Sequence, residues 1–330
     1  MSESVKVSVV IKALNEEERI ATAIQTALDA VAVIGGEVIL ADSCSTDRTI
    51  EIAKEFPITI VQLKNANEKR CGVGPQLGYQ VAKGDYIYIL DGDMELDPEF
   101  FPKAIEALEG DPELAGVAGI IDEMSDASYQ FRGRKRRGDG RESGEGVGCL
   151  EMGGLYRRVA IEQVGYFSDR NLHAFEELDL GLRLTNAGWK LRRLGVRSVV
   201  HYGWEEGNWT LMKRRWRSHY ADGGGEMVRE ALGKPWFGAA AMTQKHLYVG
   251  ILIWAALIVS AVRWDIGLWL LPLTLVGVLS LMIMRFVRSG SFGDAAFAQV
   301  AWQVNALAFI RGFFSRKADP RQPLDYIQID

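Results

Sequence analysis

The chain has few cysteines and no spacing that would organise them. Its 330 residues include three, Cys44, Cys71 and Cys149, and none belongs to a CxxC pair. An odd number without that spacing argues against both a structural zinc site and a disulfide framework. The composition fits a reducing compartment such as the cytoplasm.

The sequence also lacks a basic excess. It has 38 lysine and arginine residues against 43 aspartate and glutamate residues, which gives a formal net charge of -5. A general nucleic-acid-binding protein would carry a surplus of positive charge, so we expect no nucleic-acid partner.

Residues 1–6 are polar and show no basic region followed by an apolar stretch, and we expect the catalytic part to remain in the cytoplasm.

Strand and helix patterns alternate over residues 5–93. Runs rich in β-branched residues predict strands, and polar segments followed by helical apolar periodicity predict helices. This alternation is typical of a mainly parallel sheet with right-handed crossovers, on which ligands bind beyond the carboxyl ends of the strands. The predicted strands are 5–11, 37–40, 58–63 and 86–90, with helical segments later at 155–164 and 179–184 and a short strand at 198–201.

Two aspartates follow the last of these early strands. Asp91 and Asp93 are separated by one glycine and come directly after the apolar residues 86–90. Two carboxylates at a strand end can hold a hard divalent cation with few protein ligands, which leaves coordination positions for a substrate diphosphate. The alternative is an acidic turn without a metal.

Several motifs in a fixed order extend this observation over residues 1–220, which resemble the family 2 glycosyltransferases. The resemblance implies the GT-A fold, a nucleotide-diphospho-sugar transferase fold of the α/β class with a mainly parallel central sheet, and an inverting mechanism. The matching segments are VSVVI at 7–11, NE at 15–16, ADSCSTD at 41–47, GDYIYILDGD at 84–93, GG at 153–154, RR at 157–158, EELDL at 176–180 and His201.

The resemblance assigns residues to the nucleotide sugar donor. Asp42, with Glu16 and the backbone near Ala13, is expected to face the base or ribose, although a helix-cap role is the alternative for Asp42. Ser43 stands where the family often has a second acid, which leaves the base specificity open. Arg70 is expected to meet a phosphate. The expected donor-binding residues are Ala13, Glu16, Asp42, Arg70, Asp91, Gly154, Arg215 and Trp216.

Arg215 and Trp216 belong to the sequence KRRW at 213–216. It resembles the QxxRW motif of processive relatives, with Met212 in the place of the glutamine. That departure argues against a processive polymer synthase. Arg215 and Trp216 are expected to close over donor or acceptor, and the alternative is a basic stripe that binds anionic lipid.

The acidic sequence 176–179 occupies the place of the family's catalytic acidic motif. The resemblance makes Glu177 the base that removes the acceptor hydroxyl proton, at a position where the family normally has aspartate. Glutamate supplies the same carboxylate on a longer stem, so base catalysis is retained. A solvent-exposed acidic helix start is the alternative, and Asp179 is explained equally well as a residue that fixes the helix.

The resemblance also implies Mn²⁺ or Mg²⁺ as cofactor. Asp93 and Asp91 are the expected ligands, and Asp93 is counted with Glu177 as catalytic. His201 follows a short predicted strand. It is either a third ligand or a structural histidine.

The composition changes after residue 245. Two apolar stretches, 246–262 and 266–284, are about 26 and 28 Å long as helices, close to the thickness of a bilayer core. They predict a transmembrane hairpin, and a hairpin buried in a soluble core is the alternative. Apolar residues recurring between 294 and 314 predict an interfacial amphipathic helix.

The predicted domains are a catalytic domain at 1–230, a juxtamembrane and transmembrane part at 231–290, and an amphipathic helix with a tail at 291–330.

Together these features predict a metal-dependent, inverting glycosyltransferase on the cytoplasmic face of the inner membrane, with a multi-pass anchor. The expected partners are a nucleotide sugar donor, membrane lipids and a lipid-linked glycan or polyprenyl phosphate acceptor, with the basic residues 132–137 near its phosphates. Such an enzyme would serve polysaccharide or cell-envelope synthesis. A polyprenyl-phosphate sugar synthase and an inactive sugar-nucleotide-binding scaffold are the alternatives. The sequence identifies neither the sugar nor the oligomeric state.

Overall fold

The computed structural model describes residues 6–124, 146–151, 153–203 and 206–329. The basic segment 132–137, expected near the acceptor phosphates, lies outside the described residues. The chain divides into two units, Met1–Glu205 together with Arg316–Asp330, and Glu206–Ser315. This division does not coincide with the predicted boundaries after residues 230 and 290, because the end of the chain returns to the first unit.

The first unit contains a mixed sheet. Within the described residues it has nine strands in the order β5-β8-β6-β7-β4-β1-β2-β3-β9. The parallel pairs β1/β2, β1/β4, β2/β3 and β6/β8 make up its core, as the alternating pattern predicts. The strands are β1 (Val7–Ala13), β2 (Gly36–Asp42), β3 (Thr59–Leu63), β4 (Tyr86–Asp91), β5 (Met94–Leu96), β6 (Leu114–Glu123), β7 (Gly154–Arg157), β8 (Lys190–His201) and β9 (Tyr326–Ile329).

Helices cover the sheet and continue into the second unit. Those of the first unit are α1 (Ile20–Ile34), α2 (Thr49–Ala53), α3 (Val73–Val81), α4 (Phe100–Gly110), α5 (Arg158–Val164) and α6 (Glu176–Asn186). Those of the second unit are α7 (Asn208–Arg217), α8 (Gly223–Glu230), α9 (Phe237–Thr243), α10 (Lys245–Val262), α11 (Trp264–Ser289) and α12 (Phe292–Phe313).

Close packing of α3 against the sheet depends on glycine. A Cβ atom at Gly78 would lie 2.1 Å from Cγ1 of Val10 in β1, and one at Gly74 would lie 2.9 Å from Cβ of Lys12. Real side-chain carbons do not approach so closely, so a larger residue at either position would push the helix away. The absence of a side chain at the two glycines therefore allows α3 to pack close to the end of β1.

The register of the central strands brings the carboxyl ends of β1, β2 and β4 together. Ala13 is paired with Asp42 across β1 and β2, and Lys12 is paired with Asp91 across β1 and β4. Because the strands are parallel, their carboxyl ends meet at one edge of the sheet. Residues far apart in the sequence thus share the edge where ligands bind on such sheets.

Two short strands are among the elements that differ from the sequence prediction. Residues 155–164 were expected to form one helix, but 154–157 form strand β7, which runs antiparallel to β4 and β6. The expected C-terminal tail contains β9, which pairs antiparallel with β3. Both strands have only four residues, and their pairing with distant strands outweighs the weak local pattern.

The second unit contains two long apolar helices. Both α10 and α11 are long and apolar enough to cross a membrane, and only 11% and 6% of the residues in their most apolar segments are buried. The two helices approach each other closely at their junction, where a Cβ atom at Gly267 would meet the backbone oxygen of Ser260 at 2.4 Å. A helical hairpin buried in a soluble core would not leave this surface open, so membrane association is the better explanation.

Helix α12 is not a purely interfacial element. A Cβ atom at Gly225 in α8 would lie 1.9 Å from the backbone oxygen of Phe309, and one at Gly312 would lie 2.1 Å from that of Asp222. Arg311 forms an ion pair with the buried Asp222 at 2.6 Å. The helix is therefore packed against the short helix α8 along one face.

Candidate active site

A cleft opens at the carboxyl ends of the central strands. Four carboxylates and several apolar side chains surround it, which suits a polyhydroxylated ligand that presents both hydroxyl groups and a hydrophobic ring face. Its lining residues are Pro75, Ile89, Asp91, Glu151, Gly153, Gly154, Tyr156, Phe167, Ser168, Glu176, Glu177 and Leu180. The structure thus brings Asp91, Gly154 and Glu177 of the predicted site into one cleft.

Asp93 lies beside His201, at the end of β8. Nε2 of His201 is 3.4 Å from Oδ2 of Asp93, and Nδ1 is 2.8 Å from Oε1 of Glu123. Burial alone would lower the pKa of His201, but the contacts with Asp93 and Glu123 outweigh burial and raise that pKa to about 9. Burial alone would raise the pKa of Asp93, and the contact with His201 lowers it instead.

Glu123 was not singled out from the sequence. It is buried at the end of β6 and orients the ring of His201 with its carboxylate. A histidine that ligates a metal commonly has its second nitrogen held by such a carboxylate. No local sequence pattern suggested the pair, because the contact depends on the parallel pairing of the two strands that Glu123 and His201 end.

Glu16 approaches the same aspartates from the loop after β1. A Cβ atom at Gly92 would lie 2.7 Å from Cγ of Glu16, so the glycine between Asp91 and Asp93 makes room for this side chain. Burial, followed by the charges of Asp93 and Asp91, raises the pKa of Glu16 to about 8. The backbone N–H of Glu16 donates to the hydroxyl of Thr49 at 2.8 Å, which fixes the loop.

Asp42 ends β2 and is fully buried. Its carboxylate accepts hydrogen bonds from the backbone N–H of Ser45 at 2.9 Å and from the side chain of Gln62 at 2.9 Å, and it also contacts the hydroxyl of Ser45. These contacts fix the turn after β2. The helix-cap role that was the alternative does not apply, because α2 begins only at Thr49 with Arg48 at its N-cap. Its role towards a nucleotide stays a prediction.

Glu176 and Glu177 begin helix α6. The preceding residue, Phe175, has a φ of 71°, in the left-handed region that costs a non-glycine residue energy. Glu176 is buried, and Glu177 is half-buried in the cleft. Burial and then the charge of Glu176 raise the pKa of Glu177 to about 8, so its carboxylate binds a proton far more tightly than an exposed glutamate does.

Asp179 has a structural partner. Its Oδ2 is 2.8 Å from Nε of Arg183, and both side chains are buried. Arg183 also donates to the backbone oxygens of Tyr166 and Phe167, at 2.6 and 2.9 Å. Asp179 therefore fixes α6 against the preceding loop, as the alternative interpretation of this residue had it.

Lys12 is a second site residue that sequence reasoning missed. Its Nζ lies 3.1 Å from Oδ1 of Asp91 and 3.4 Å from Oε1 of Glu176. Burial alone would lower the pKa of Lys12, but the charges of Asp91 and Glu176 raise it well above the ordinary value.

The remaining predicted donor-binding residues are more scattered. Ala13 is buried and its carbonyl accepts from the N–H of Ser43 at 2.9 Å, while Arg70 is half-buried just before α3. Arg215 and Trp216 belong to the second unit, where Arg215 lies over the ring of Tyr220 and Arg311 lies 4.1 Å from the ring centroid of Trp216. Their roles towards the donor stay predictions.

The predicted metal ligands do not by themselves form a closed metal site. Among the described residues, no three histidine, cysteine, aspartate or glutamate side chains are clustered as a metal centre requires. Asp93 and the oriented His201 form a pair of suitable donors, with Asp91 two residues away in the chain. This donor set fits a divalent cation whose other ligands come from the substrate and from water.

Part of the first unit matches a known protein family. Residues 8–165 match the family model described as glycosyl transferase family 2. The dolichol-phosphate mannosyltransferase of Pyrococcus furiosus is 31% identical over 114 residues, covering 33% of this chain and 32% of its own. An undecaprenyl-phosphate 4-deoxy-4-formamido-L-arabinose transferase of Pectobacterium carotovorum is 34% identical over 109 residues, covering 30% and 32%. The chain thus spans about a third of the length of these curated relatives.

The fold has counterparts among solved structures. The mannosyltransferase PcManGT from Pyrobaculum calidifontis, solved in complex with GDP-Man and Mn²⁺, superposes with a TM-score of 0.57 at 16% sequence identity, covering 94% of this chain and 86% of that one. At this identity the similarity establishes the fold alone. Residues 8–165 are therefore similar to glycosyl transferase family 2, and they lie within a unit that has the GT-A fold.

Proposed function

We propose that this chain is a metal-dependent, inverting glycosyltransferase. It transfers a sugar from a nucleoside-diphosphate donor to a lipid-linked or glycan acceptor at the cytoplasmic face of a membrane. The observation that carries the proposal is the arrangement of Asp91 at the end of β4 opposite Glu176 and Glu177 at the start of α6, across one cleft. Asp91, at a strand end, thus shares the cleft with the Glu177 carboxyl group, whose raised pKa suits a general base.

Glu177 serves as the base in this proposal. Its carboxylate takes the proton of the acceptor hydroxyl while the oxygen forms a bond to the anomeric carbon of the donor. The bond from that carbon to the nucleoside diphosphate breaks on the opposite face, and the electron pair leaves with the diphosphate. A single displacement of this kind inverts the anomeric configuration.

Asp93, Asp91 and His201 would hold the divalent cation. When bound, Mn²⁺ or Mg²⁺ supplies positive charge that stabilises the departing diphosphate. The mannosyltransferase PcManGT was solved with Mn²⁺ and a nucleotide sugar, which supports this choice of cofactor. Glu123 keeps His201 in the orientation in which Nε2 faces Asp93.

The membrane anchor motivates the choice of acceptor and of location. Helices α10 and α11 leave their apolar surfaces exposed, and a hairpin of two spans would return the chain to the side on which it entered. Lys234 precedes the hairpin and Lys245 begins it, while Arg285 and Arg288 lie near its end, so these positive charges are at the same end. The positive-inside rule puts that end in the cytoplasm.

The first test is release of nucleoside diphosphate by the detergent-purified protein from a panel of sugar nucleotides. Each donor is assayed with Mn²⁺, Mg²⁺ or chelator, and with or without a membrane lipid extract. Metal-dependent release from one donor, increased by lipid and lost in Asp93→Ala, would support the proposal. Binding without release across a broad acceptor panel would instead favour a scaffold, and a product that keeps the donor's anomeric configuration by NMR would contradict inversion.

A second candidate comes from the names of the sequence relatives. Two of them are transferases that act on dolichol phosphate and undecaprenyl phosphate. A phosphate acceptor is already an anionic nucleophile and requires no base, so Glu177→Gln would then retain substantial activity. With a hydroxyl acceptor the same variant should lose about 10²- to 10⁴-fold in rate.

A further inference from the structure

Lys12 connects two parts of the cleft that lie far apart in the sequence. Asp91 ends β4, and Glu176 begins α6. The Nζ atom of Lys12 is within 3.4 Å of a carboxylate oxygen from each. The lysine side chain is 19% exposed and Glu176 is 7% exposed, so water screens this contact far less than it would a surface ion pair.

The sheet and α3 leave Lys12 little freedom. Its backbone is part of β1, paired with β4 at Asp91 and with β2 at Ala41. Its Cβ atom lies against Gly74 of α3, where any added side-chain carbon would come within 2.9 Å. A rigid strand therefore presents the ammonium group to the two carboxylates from a fixed position.

The beginning of α6 needs such a restraint. Phe175 holds a left-handed conformation, its side chain makes no capping hydrogen bond, and Glu176 and Glu177 are adjacent acids in the first turn of the helix. Two adjacent carboxylates in a partly buried position repel one another. A cation bound to Glu176 offsets that repulsion and holds the first turn.

We propose that Lys12 is a positioning residue for sugar transfer, which fixes Glu176 relative to Asp91 and thereby sets the position and charge environment of Glu177. This inference rests on the proposed function, because it assigns Glu177 as the base. Lys12 acts through Glu176 and need not touch the substrate. The titratable groups that face Glu177 are Glu176, Lys12, Asp91, Cys71 and Tyr156.

The test compares Lys12→Met, Lys12→Arg and Glu176→Gln in the full chain. Lys12→Met should lower kcat/KM by about 10²-fold, as expected for a displaced catalytic group, and Lys12→Arg should recover part of that loss. The pH at which kcat/KM rises should shift in opposite directions in Lys12→Met and Glu176→Gln, which remove a positive and a negative charge respectively. Loss of the cation in Lys12→Met shifts the rising limb to higher pH by about one unit, and loss of the neighbouring acid in Glu176→Gln shifts it lower.

Lys6→Met is the matched control. Lys6 lies just before the same strand, at its other end, and pairs with a single acid, Glu109, at 3.0 Å on the surface. It should retain wild-type kinetics. Thermal unfolding of every variant shows whether the protein is folded.

The outcomes separate this inference from the proposed function. A wild-type protein that releases no nucleoside diphosphate from any donor overturns the proposed function. An active wild type whose Lys12→Met and Glu176→Gln variants keep the wild-type pH limb overturns the role of Lys12, even where Lys12→Met lowers stability. Shifts of the rising limb in opposite directions, together with partial recovery of kcat/KM in Lys12→Arg, support the role of Lys12. If Lys12→Met does not fold, the pH limbs of Lys12→Arg and Glu176→Gln decide whether the role is supported or overturned.

Discussion

The raised pKa of Glu177 predicts a specific pH dependence of activity. With a pKa of about 8, the carboxyl group is about one-tenth ionised at pH 7, half ionised at pH 8 and about nine-tenths ionised at pH 9. A base must be ionised to accept a proton, so kcat/KM should rise about tenfold between pH 7 and pH 9. An ordinary exposed glutamate would already be fully ionised at pH 7 and would give no such rise.

The assay is release of nucleoside diphosphate at donor and acceptor concentrations below KM, because kcat/KM reports the ionisation of the free enzyme. Glu16 also has a pKa of about 8 and titrates in the same range, so the rise alone does not identify the group. Glu177→Asp should keep a rising limb at reduced rate. Glu177→Gln should lose the limb together with most of the activity.

Two results would refute the reasoning. A wild-type profile that is flat from about pH 6 to about pH 9 would mean that no group of raised pKa limits the reaction. A Glu177→Gln variant that keeps both the limb and the rate would remove Glu177 from the chemistry. That second result would also favour a phosphate acceptor.

Three further predictions concern stability and the metal site. Asp179→Asn leaves Arg183 buried without its charge partner, so unfolding in denaturant should show a loss of up to about 3 to 5 kcal/mol, whereas a surface change such as Glu109→Gln should cost little. Gly78→Ala places a carbon 2.1 Å from Val10 and should lower stability by about 1 to 3 kcal/mol, whereas Gly110→Ala, with no atom within 4 Å, should not. Glu123→Gln should raise the Mn²⁺ concentration needed for half-maximal release of nucleoside diphosphate by about 10- to 100-fold, because it loosens the orientation of His201. An unchanged concentration would remove His201 from the metal site.

The sequence predicts the parallel centre of the sheet well. Strands β1, β2, β3 and β4 were expected within a few residues of their observed bounds, because each is a continuous apolar run that both faces of a buried parallel sheet favour. The positions of Asp42 and Asp91 at one edge follow from that topology. Local chemistry and strand direction are enough to bring those residues together.

Other parts of the site depend on contacts that no local pattern carries. A lysine at a strand end is ordinarily exposed, and only the pairing with β4 and the position of α6 surround Lys12 with acids. Most of β8 escaped prediction because its first half is rich in arginine and lysine, although Arg193 is buried and donates to two backbone oxygens. The role of Asp179 likewise depended on the position of Arg183.

Strand β9 restricts the number of times the chain can cross a bilayer. Because β9 belongs to the same sheet as β1 to β8, the residues before 206 and those after 315 must be on one side of any membrane. Each crossing between them must then be matched by a return, so the number of crossings is even. The two helices α10 and α11 satisfy that condition, and α12 as a third span would violate it.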